Sequence, residues 1–568
     1  MITSSPERIR SYRERGWWGD TRFDDVLKSN IAAAPDREAL VDPPNLAEVC
    51  GITSRRMTWR GFGELVDCLS CQLIESGLKK DDIAIVQLPN CSELLAVYFA
   101  CARLGVIASP VMPQYREHEI GSIIERTSAS AYITIERIGA FRHGEMAVAL
   151  MQKHPSLRQV RVFGEPAKGA LALRAGGAGD TRYAVIENYQ ERYPVSADDA
   201  ISICWTSGSE GFPKGVARSH NRWMMYGPLI SSAYEVHDGC RFLNGRPLVT
   251  HGAFVGTIVP WLCHCGTIVN HHPFHLETFL GQLRSERIGY TALAPAILSM
   301  LNANPELVAG VDFKRLRYIG SGSAPLTEAL VKGIQDRFGV CVLNFYGSTE
   351  GGGLVSAPHD VPDAGHRAMY FPRLGVPGFD WTHALAKMVD SRLVDPVSEE
   401  IIDELGRPGE IRFRGPLVMD GYFNAPELAE SAFDRDGYYR SGDLFEIAGE
   451  KKQFYKFVGR LKDIIIRGGF NISASDVENL VSSHPAVAEA AAVGFPDERL
   501  GEKVCAVVAL RHGKRLSLEE LVEFMKRELQ VAVIKLPEKL VVVDALPRSP
   551  NNKVLKAELR KLAATPVS

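Results

Sequence analysis

The sequence predicts an α/β protein with mostly parallel sheets, followed by a smaller α+β module. Two observations carry this. Continuous apolar runs of strand length alternate with amphipathic runs of helix length over most of the chain, the pattern of strands covered on both faces by helices. Near residue 460 the texture changes to glycine-bounded antiparallel strands and a compact unit of about a hundred residues.

Ile83-Ala-Ile-Val-Gln-Leu88 is an apolar run ended by Pro89-Asn90, with a helical pattern from Ser92. Leu94 to Met112 imitates a membrane span, but Arg103, Gly105 and Pro110 interrupt it, so a buried helix followed by a buried strand is expected. Strand then helix recurs at Gly289–Leu293 with Ala296–Leu301, and at Leu316–Ile319 with Thr327–Phe338. No repeat of solenoid length is visible. Arg174-Ala-Gly-Gly-Ala-Gly-Asp180 reads as a surface connection. Glu410–Gly415 and Phe454–Val458 read as antiparallel strands. From Val477 follow a helix, strands Ala490–Val493 and Val504–Leu510, a helix Leu518–Leu529 and a basic tail. The expected boundary divides the chain into domains 1–460 and 461–568.

The 568 residues carry 65 Lys+Arg against 68 Asp+Glu, a net charge of −3, so electrostatics gives no case for nucleic-acid binding. At 45% hydrophobic and 23% charged, the chain is not a disordered or fibrous one. The eleven cysteines lie scattered in apolar segments without repeated spacing and read as buried free thiols of a reducing compartment. Met1 to Arg15 is charged and has no apolar core, so it is not a signal peptide. A cytoplasmic protein without a membrane span is expected.

Thr206-Ser-Gly-Ser-Glu-Gly-Phe-Pro-Lys-Gly215 follows the strand-like Ala200–Trp205. Glycines let backbone N–H groups approach anionic oxygens, hydroxyls donate further hydrogen bonds, and Lys214 adds a mobile charge. This is phosphate-handling chemistry. It is not the P-loop pattern, because Gly215 follows the lysine.

With this motif the chain resembles the adenylate-forming superfamily of acyl-CoA synthetases, aryl-acid ligases, luciferases and peptide-synthetase adenylation domains. Further motifs follow in the superfamily's order: Leu343-Asn-Phe-Tyr-Gly-Ser-Thr-Glu350, Tyr439-Arg-Ser-Gly-Asp443, Gly459-Arg-Leu-Lys-Asp463 with Arg467-Gly-Gly469, and Leu546-Pro-Arg-Ser-Pro-Asn-Asn-Lys-Val554. The resemblance implies a large N-terminal domain of layered sheets with a small β-barrel-like part, and a small mobile C-terminal domain. It implies a carboxylate attacking the α-phosphate of ATP, with pyrophosphate leaving. In such chemistry positioning and charge screening are the main tasks.

By the resemblance, Thr206, Ser207, Gly208, Ser209, Glu210, Gly211 and Lys214 surround the phosphates, with Thr206 and Glu350 at Mg²⁺. Thr349 meets the α-phosphate. Tyr346 stacks on adenine, flanked by Phe345, Gly347 and Ser348, while Asn344 and the Ser323-Ala324 backbone read its edge. Asp443 accepts from both ribose hydroxyls, with Arg460 nearby, and Lys462 is the hinge. Lys553 is the catalytic lysine. Gly468, Gly469 and Phe470 resemble the segment along which coenzyme A passes. Lys535 sits where CoA ligases often have a cation, though a solvated loop lysine fits it equally. The acyl pocket is implied around His251, Gly252, Phe254, Ser321 and Gly322.

Three positions depart from the superfamily's pattern. Glu210 stands where threonine is usual and would repel pyrophosphate unless it turns away or helps bind magnesium. Asn552 replaces a glycine, a mild change because asparagine tolerates a left-handed backbone. Ala474 replaces a proline, which affects loop stiffness more than chemistry.

The whole chain is similar to cyclohexanecarboxylate-CoA ligases and dihydroxybenzoate-AMP ligases. The latter usually place asparagine after the pocket histidine, and Gly252 here implies a larger, less hydroxylated acid. Cys263-His-Cys265 with His271-His-Pro-Phe-His275 could supply zinc ligands. A buried strand at Cys265–Val269, with side chains alternating between faces, is the preferred reading.

The expected activity is an ATP- and Mg²⁺-dependent carboxylic acid–CoA ligase acting on a hydrophobic cyclic or aromatic acid. The alternatives are an aryl-acid ligase loading a carrier-protein thiol and a non-catalytic adenylate-binding protein. Luciferase-type oxygenation has no residue that singles it out.

Overall fold

The computed structural model describes residues 1–176, 182–206, 213–467, 470–497, 499–529, 531–549 and 553–564. The chain forms two compact units, one of Met1–Asp390 with Phe413–Tyr439 and one of Ser391–Arg412 with Arg440–Ser568. The boundary read from the sequence at 460/461 falls inside the second unit.

The first unit holds two sheets. In one, the order is Leu171–Leu173, Gln159–Phe163, Ala131–Ile135, Ile83–Gln87, Ile107–Pro110, Ala200–Trp205 and Gly215–Ser219, with all neighbours parallel except the last pair. The other runs Gly353–Ser356, Cys341–Gly347, Tyr318–Gly322, Tyr290–Ala292, Arg241–Asn244, Thr267–Asn270, Glu38–Val41 and Arg56–Thr58, antiparallel only at its two ends. Ile83–Gln87 and Ala131–Ile135 are buried along their whole length, as parallel strands covered on both faces must be.

The helix Ser92–Leu104 is buried at every residue and precedes the strand Ile107–Pro110, which resolves the span-like stretch as expected. Trp59 stacks on Trp261 at 4.7 Å, and Phe62 and Phe99 meet Trp261 edge-on. The Trp261 indole N–H donates to the Ala39 carbonyl, 3.0 Å away. This aromatic cluster joins the helix Trp59–Glu75 to the edge of the larger sheet. The helix Glu328–Phe338 shows its sequence signals directly: Thr327 caps its start and Gly339, at φ +67°, ends it in the left-handed conformation.

In the second unit, Val487–Asp497 and Gly501–Leu510 form a long antiparallel hairpin, and Lys539–Val543 runs parallel to the second strand. The helices Ala474–Ser482 and Leu518–Arg527 bury Val477, Val481, Leu521 and Met525 against it. Tyr439–Ala448 pairs antiparallel with Phe454–Arg460.

Two readings are corrected. The strand expected from Cys265 begins at Thr267, because Cys265 itself has φ +45° and turns the chain. The basic tail contains the helix Lys556–Ala564, whose Leu559 and Ala563, one turn apart, are buried against Ala491, Val493 and Val507. All eleven cysteines are free thiols. No described helix is long and apolar enough to cross a membrane. The connection Arg174–Asp180 lies partly outside the described residues.

Several imidazoles of the first unit are buried neutral. Burial lowers His220 to about 3, and burial lowers His272 and His383 to about 4. The unfolded chain takes up these protons near pH 6.5, whereas the folded chain resists them. Stability is therefore fully present above about pH 6.5 and falls as pH drops from there toward 4, by up to about 1.4 kcal/mol per pH unit for each imidazole. Urea unfolding at pH 7.5 and pH 5 should show this loss. His220→Asn, which keeps an acceptor for the Phe23 N–H, should remove the His220 share of it. A midpoint independent of pH across that window would contradict the neutral assignment.

Candidate active site

The strands Ala200–Trp205 and Gly215–Ser219 form a hairpin whose loop is the glycine- and serine-rich motif. Thr206 and Lys214 close it: the Thr206 N–H donates to the Lys214 carbonyl at 2.9 Å, and the Lys214 N–H donates to Thr206 Oγ1 at 3.2 Å. Ser207, Gly208, Ser209, Glu210 and Gly211 lie outside the described residues, so Glu210 stays an open departure. The Lys214 ammonium lies 5.1 Å from the centre of the Tyr422 ring. The Tyr422 hydroxyl donates to Glu350 Oε1 at 2.9 Å, and burial followed by the Glu350 charge raises its phenol well above the ordinary range.

Lys214, Tyr422 and Glu350 thus form one cluster from three separate parts of the sequence. Tyr422 was not found from the sequence, since its partner lies 72 positions away. Its backbone belongs to a segment that three arginines hold. Buried Arg218 donates to the carbonyls of Leu417, at 2.6 Å, and Thr349. Arg222 and Arg8 both pair with Asp420 at 2.7 Å. Gly351, at φ +105°, lies so close to the Leu417 carbonyl that a Cβ could not stand there.

Tyr346 and Gly347 end the strand Cys341–Gly347, and Gly322 ends its parallel neighbour opposite Phe345. Tyr346 stacks against Phe413 with ring centres 6.2 Å apart. Ser323 and Ala324 are exposed, and Ser323 has φ +71°, so the backbone turns out of the sheet there. Asn344 is buried and spends both amide hydrogens on the carbonyls of Arg367 and Ala368, at 3.1 and 2.9 Å. Only its Oδ1 is left to read a base. Ser348 Oγ is buried without a partner among the described residues.

His251 opens a short helical turn capped by Thr250, and a π-helical turn, Phe254–Ile258, follows. Such turns are frequent at functional sites. His251 Nε2 is 3.2 Å from the Tyr226 hydroxyl, and its ring and that of Phe254 lie over Trp223 at 5.3 and 4.6 Å. Burial, aided by the Arg218 charge, holds His251 neutral. Gly252 is exposed, whereas Ser321 is buried with its hydroxyl committed to the Leu293 carbonyl at 2.9 Å. The other histidines of the zinc-like stretch have different partners: His264 meets Ser231 and Asp238, and His271 meets Gln282 and the His275 N–H.

In the second unit, buried Asp443 accepts from Arg460 Nε at 2.6 Å. Its turn is braced by a network absent from the sequence reading. The Gly442 N–H donates to Glu410, which with Glu399 holds buried Arg412, and Glu399 also pairs with Arg440. The Lys462 carbonyl accepts from Arg560, which also pairs with Asp463 at 3.0 Å. Lys535 pairs with Asp476 at 2.9 Å. Gly468 and Gly469 lie outside the described residues, as does the Phe470 side chain. Lys553 is exposed, in a loop closed by Ser549, whose Oγ accepts the Lys553 N–H at 3.2 Å.

The family model described as AMP-binding enzyme matches residues 27–423, and that described as AMP-binding enzyme C-terminal domain matches 476–553. A medium-chain fatty-acid–CoA ligase of Escherichia coli K12 is 30% identical, covering 99% of this chain and 94% of its own. Triostin synthetase I of Streptomyces triostinicus is 29% identical, covering 98% and 97%. The apo structure of MbtA from Mycobacterium smegmatis matches with a TM-score of 0.68 at 26% identity, covering 99% of this chain and 98% of that one. The chain belongs to the AMP-binding enzyme family. It is an AMP-forming adenylate ligase that activates a small carboxylic acid with ATP.

The geometry makes Tyr422 the residue that orients Glu350. Tyr422→Phe removes one hydrogen bond to a charged group, a loss of about 1.5–3 kcal/mol. Acid-dependent ATP–pyrophosphate exchange should fall about 10- to 100-fold in kcat/KM, with the melting temperature little changed. Unchanged exchange would remove Tyr422 from the site.

Proposed function

We propose that the chain is an acid–CoA ligase: it forms an acyl-adenylate from a hydrophobic, cyclic or aromatic acid and passes the acyl group to the thiol of coenzyme A. The observation that carries the acid class is the buried aromatic packing of Trp223, Tyr226 and Phe254 behind a neutral His251, with no side chain at the exposed Gly252. Such apolar surroundings suit a ring more than a hydroxylated head group. The cyclohexanecarboxylate-CoA ligase resemblance supports the same reading.

The roles follow the motifs. Residues 1–460 bind acid and ATP, and 461–568 bring the catalytic lysine. The loop from Thr206 to Lys214 holds the β- and γ-phosphates, and Thr349 meets the α-phosphate. Tyr346 stacks on adenine, with Asn344 Oδ1 and the Ser323-Ala324 backbone at its edge. Asp443 accepts the ribose hydroxyls, an acceptor with two oxygens facing two donors. Oxygen donors from Thr206 and Glu350 suit Mg²⁺, which when bound screens the triphosphate charge. Lys462 is the pivot between half-reactions, and Gly468-Gly469-Phe470 with Lys535 serves coenzyme A. The reaction is assigned to the cytoplasm, where ATP is available and the free thiols stay reduced.

A carrier-protein thiol as acceptor is the second reading, since synthetases stand among the relatives beside CoA ligases. Free coenzyme A decides between them. Wild-type enzyme with acid, ATP and CoA should yield acyl-CoA, AMP and pyrophosphate. Formation of adenylate without thioester would favour the carrier reading. Lys553→Ala removes a positioned ammonium from a step in which negative charge redistributes, so adenylate formation should fall at least about 10²-fold. Thioester formation from supplied acyl-adenylate should change far less. Equal loss in both steps would overturn the role given to Lys553.

A further inference from the structure

Five other enclosed arginines hold acceptors, although the Nε of Arg218 and of Arg222 has none among the described residues. Arg103 holds Asp24 and Asp67, Arg222 holds Asp420, Arg412 holds Glu399 and Glu410, and Arg218 and Arg367 hold backbone carbonyls. Arg246 differs. Its own carbonyl is pinned by the Asn90 and Asn244 amides at 2.7 and 2.8 Å, which fixes the backbone two residues past the strand Arg241–Asn244. Its guanidinium is enclosed but not sealed from solvent. Among the described residues no carboxylate pairs with it and no hydrogen bond reaches it. Burial lowers its basicity, yet a guanidinium keeps its proton in proteins. A charge in that position lacks both full hydration and a partner.

Two contacts locate it. Its Nη1 lies 3.8 Å from where a Cβ on Gly252 would stand. Tyr290, the phenol that its charge feels, packs its hydroxyl against Gly320 and reaches Gly256. Gly252 is next to His251, and Gly320 leads into Ser321 and Gly322. The guanidinium therefore borders the pocket assigned to the acid. The space left by Gly252 is lined by a cation, so the pocket is aromatic on one side and positively charged on another.

We propose that Arg246 receives a second carboxylate of the acid substrate, remote from the carboxyl that is activated. The inference rests on the reading of the His251 region as the acyl pocket, and it narrows the substrate class to acids with an apolar body and two anionic ends. A planar guanidinium matches a carboxylate with paired charge-assisted hydrogen bonds. It is ill suited to the reacting carboxyl, because charge-assisted bonds to both oxygens would draw electron density from the one that attacks phosphorus. A site holding such a group discriminates strongly, because a substrate that lacks the carboxylate leaves the cation partly dehydrated and unpaired.

The test compares matched acids with and without the remote carboxylate: cyclohexanecarboxylate against trans-cyclohexane-1,4-dicarboxylate, and linear monoacids against diacids of six, eight and ten carbons. The readout is acid-dependent ATP–pyrophosphate exchange. Wild-type enzyme should favour the diacid in at least one pair by about 30-fold or more in kcat/KM. Arg246→Met should bring that ratio to one or below, mainly through KM for the diacid. Its melting temperature should be unchanged or raised, where a merely structural arginine would lower it. Should Arg246→Met not fold, Arg246→Lys should keep part of the preference and Arg246→Gln lose it. Gly252→Leu separates the two readings: it should weaken both members of a pair. If it affects neither acid, the pocket reading fails. If it blocks both while Arg246→Met leaves the ratio intact, or if wild type favours the monoacid in every pair, the role of Arg246 fails and the pocket stands.

Discussion

Arg218 is the constraint on which the larger unit's catalytic geometry depends. Its guanidinium is fully buried and donates to the carbonyls of Leu417 and Thr349. Those bonds tie the strand after the phosphate loop to the Thr349-Glu350 turn and to the segment bearing Tyr422. Buried carbonyls need donors, and a buried cation needs acceptors. The two terminal nitrogens of one side chain serve both needs, while its Nε has no partner among the described residues, and its charge adds positive potential beside His251. The Lys214–Tyr422–Glu350 cluster follows from that arrangement: three chain segments are held so that an ammonium, a phenol and a carboxylate meet, at the place proposed for the triphosphate.

The second unit solves a related problem with charge pairs. The turn before Asp443 is short and glycine-containing, so it would be floppy by itself. Glu410 accepts the Gly442 N–H while Arg412 holds Glu410 and Glu399 together. Burial of Arg412 makes those pairs costly to break. The same logic recurs at the hinge, where Arg560 holds both the Lys462 carbonyl and Asp463. The C-terminal helix thereby braces the turn at which the two half-reactions are proposed to exchange.

Much of this was legible in the sequence because local physics leaves local marks. The strands Ile83–Gln87 and Ala200–Trp205 are apolar runs bounded by turn residues, and Thr327 and Gly339 mark both ends of a helix. The motif after Ala200–Trp205 stood out because glycines, hydroxyls and a lysine crowd ten residues, while the strand Gly215–Ser219 that pairs back on it did not. What was missed depends on distance along the chain. Tyr422 and Glu399 acquire meaning only from partners brought by the fold, and Arg246 only from its place beside Gly252. The helix Lys556–Ala564 was missed for another reason: its charges masked the apolar pair Leu559 and Ala563. Gly252 reads in the sequence as space for a larger, less hydroxylated acid, and the guanidinium beside that space is visible only in the fold.

The central claim is that a carboxylate oxygen of the acid attacks the α-phosphorus of ATP. Supplying the acid with both carboxyl oxygens as ¹⁸O tests this most directly. After turnover with ATP and the thiol, mass spectrometry of AMP should find one ¹⁸O per molecule, with the other retained in the acyl product and none in pyrophosphate. Unlabelled AMP, or ¹⁸O appearing in inorganic phosphate alongside ADP, would contradict an acyl-adenylate and with it the account of the site.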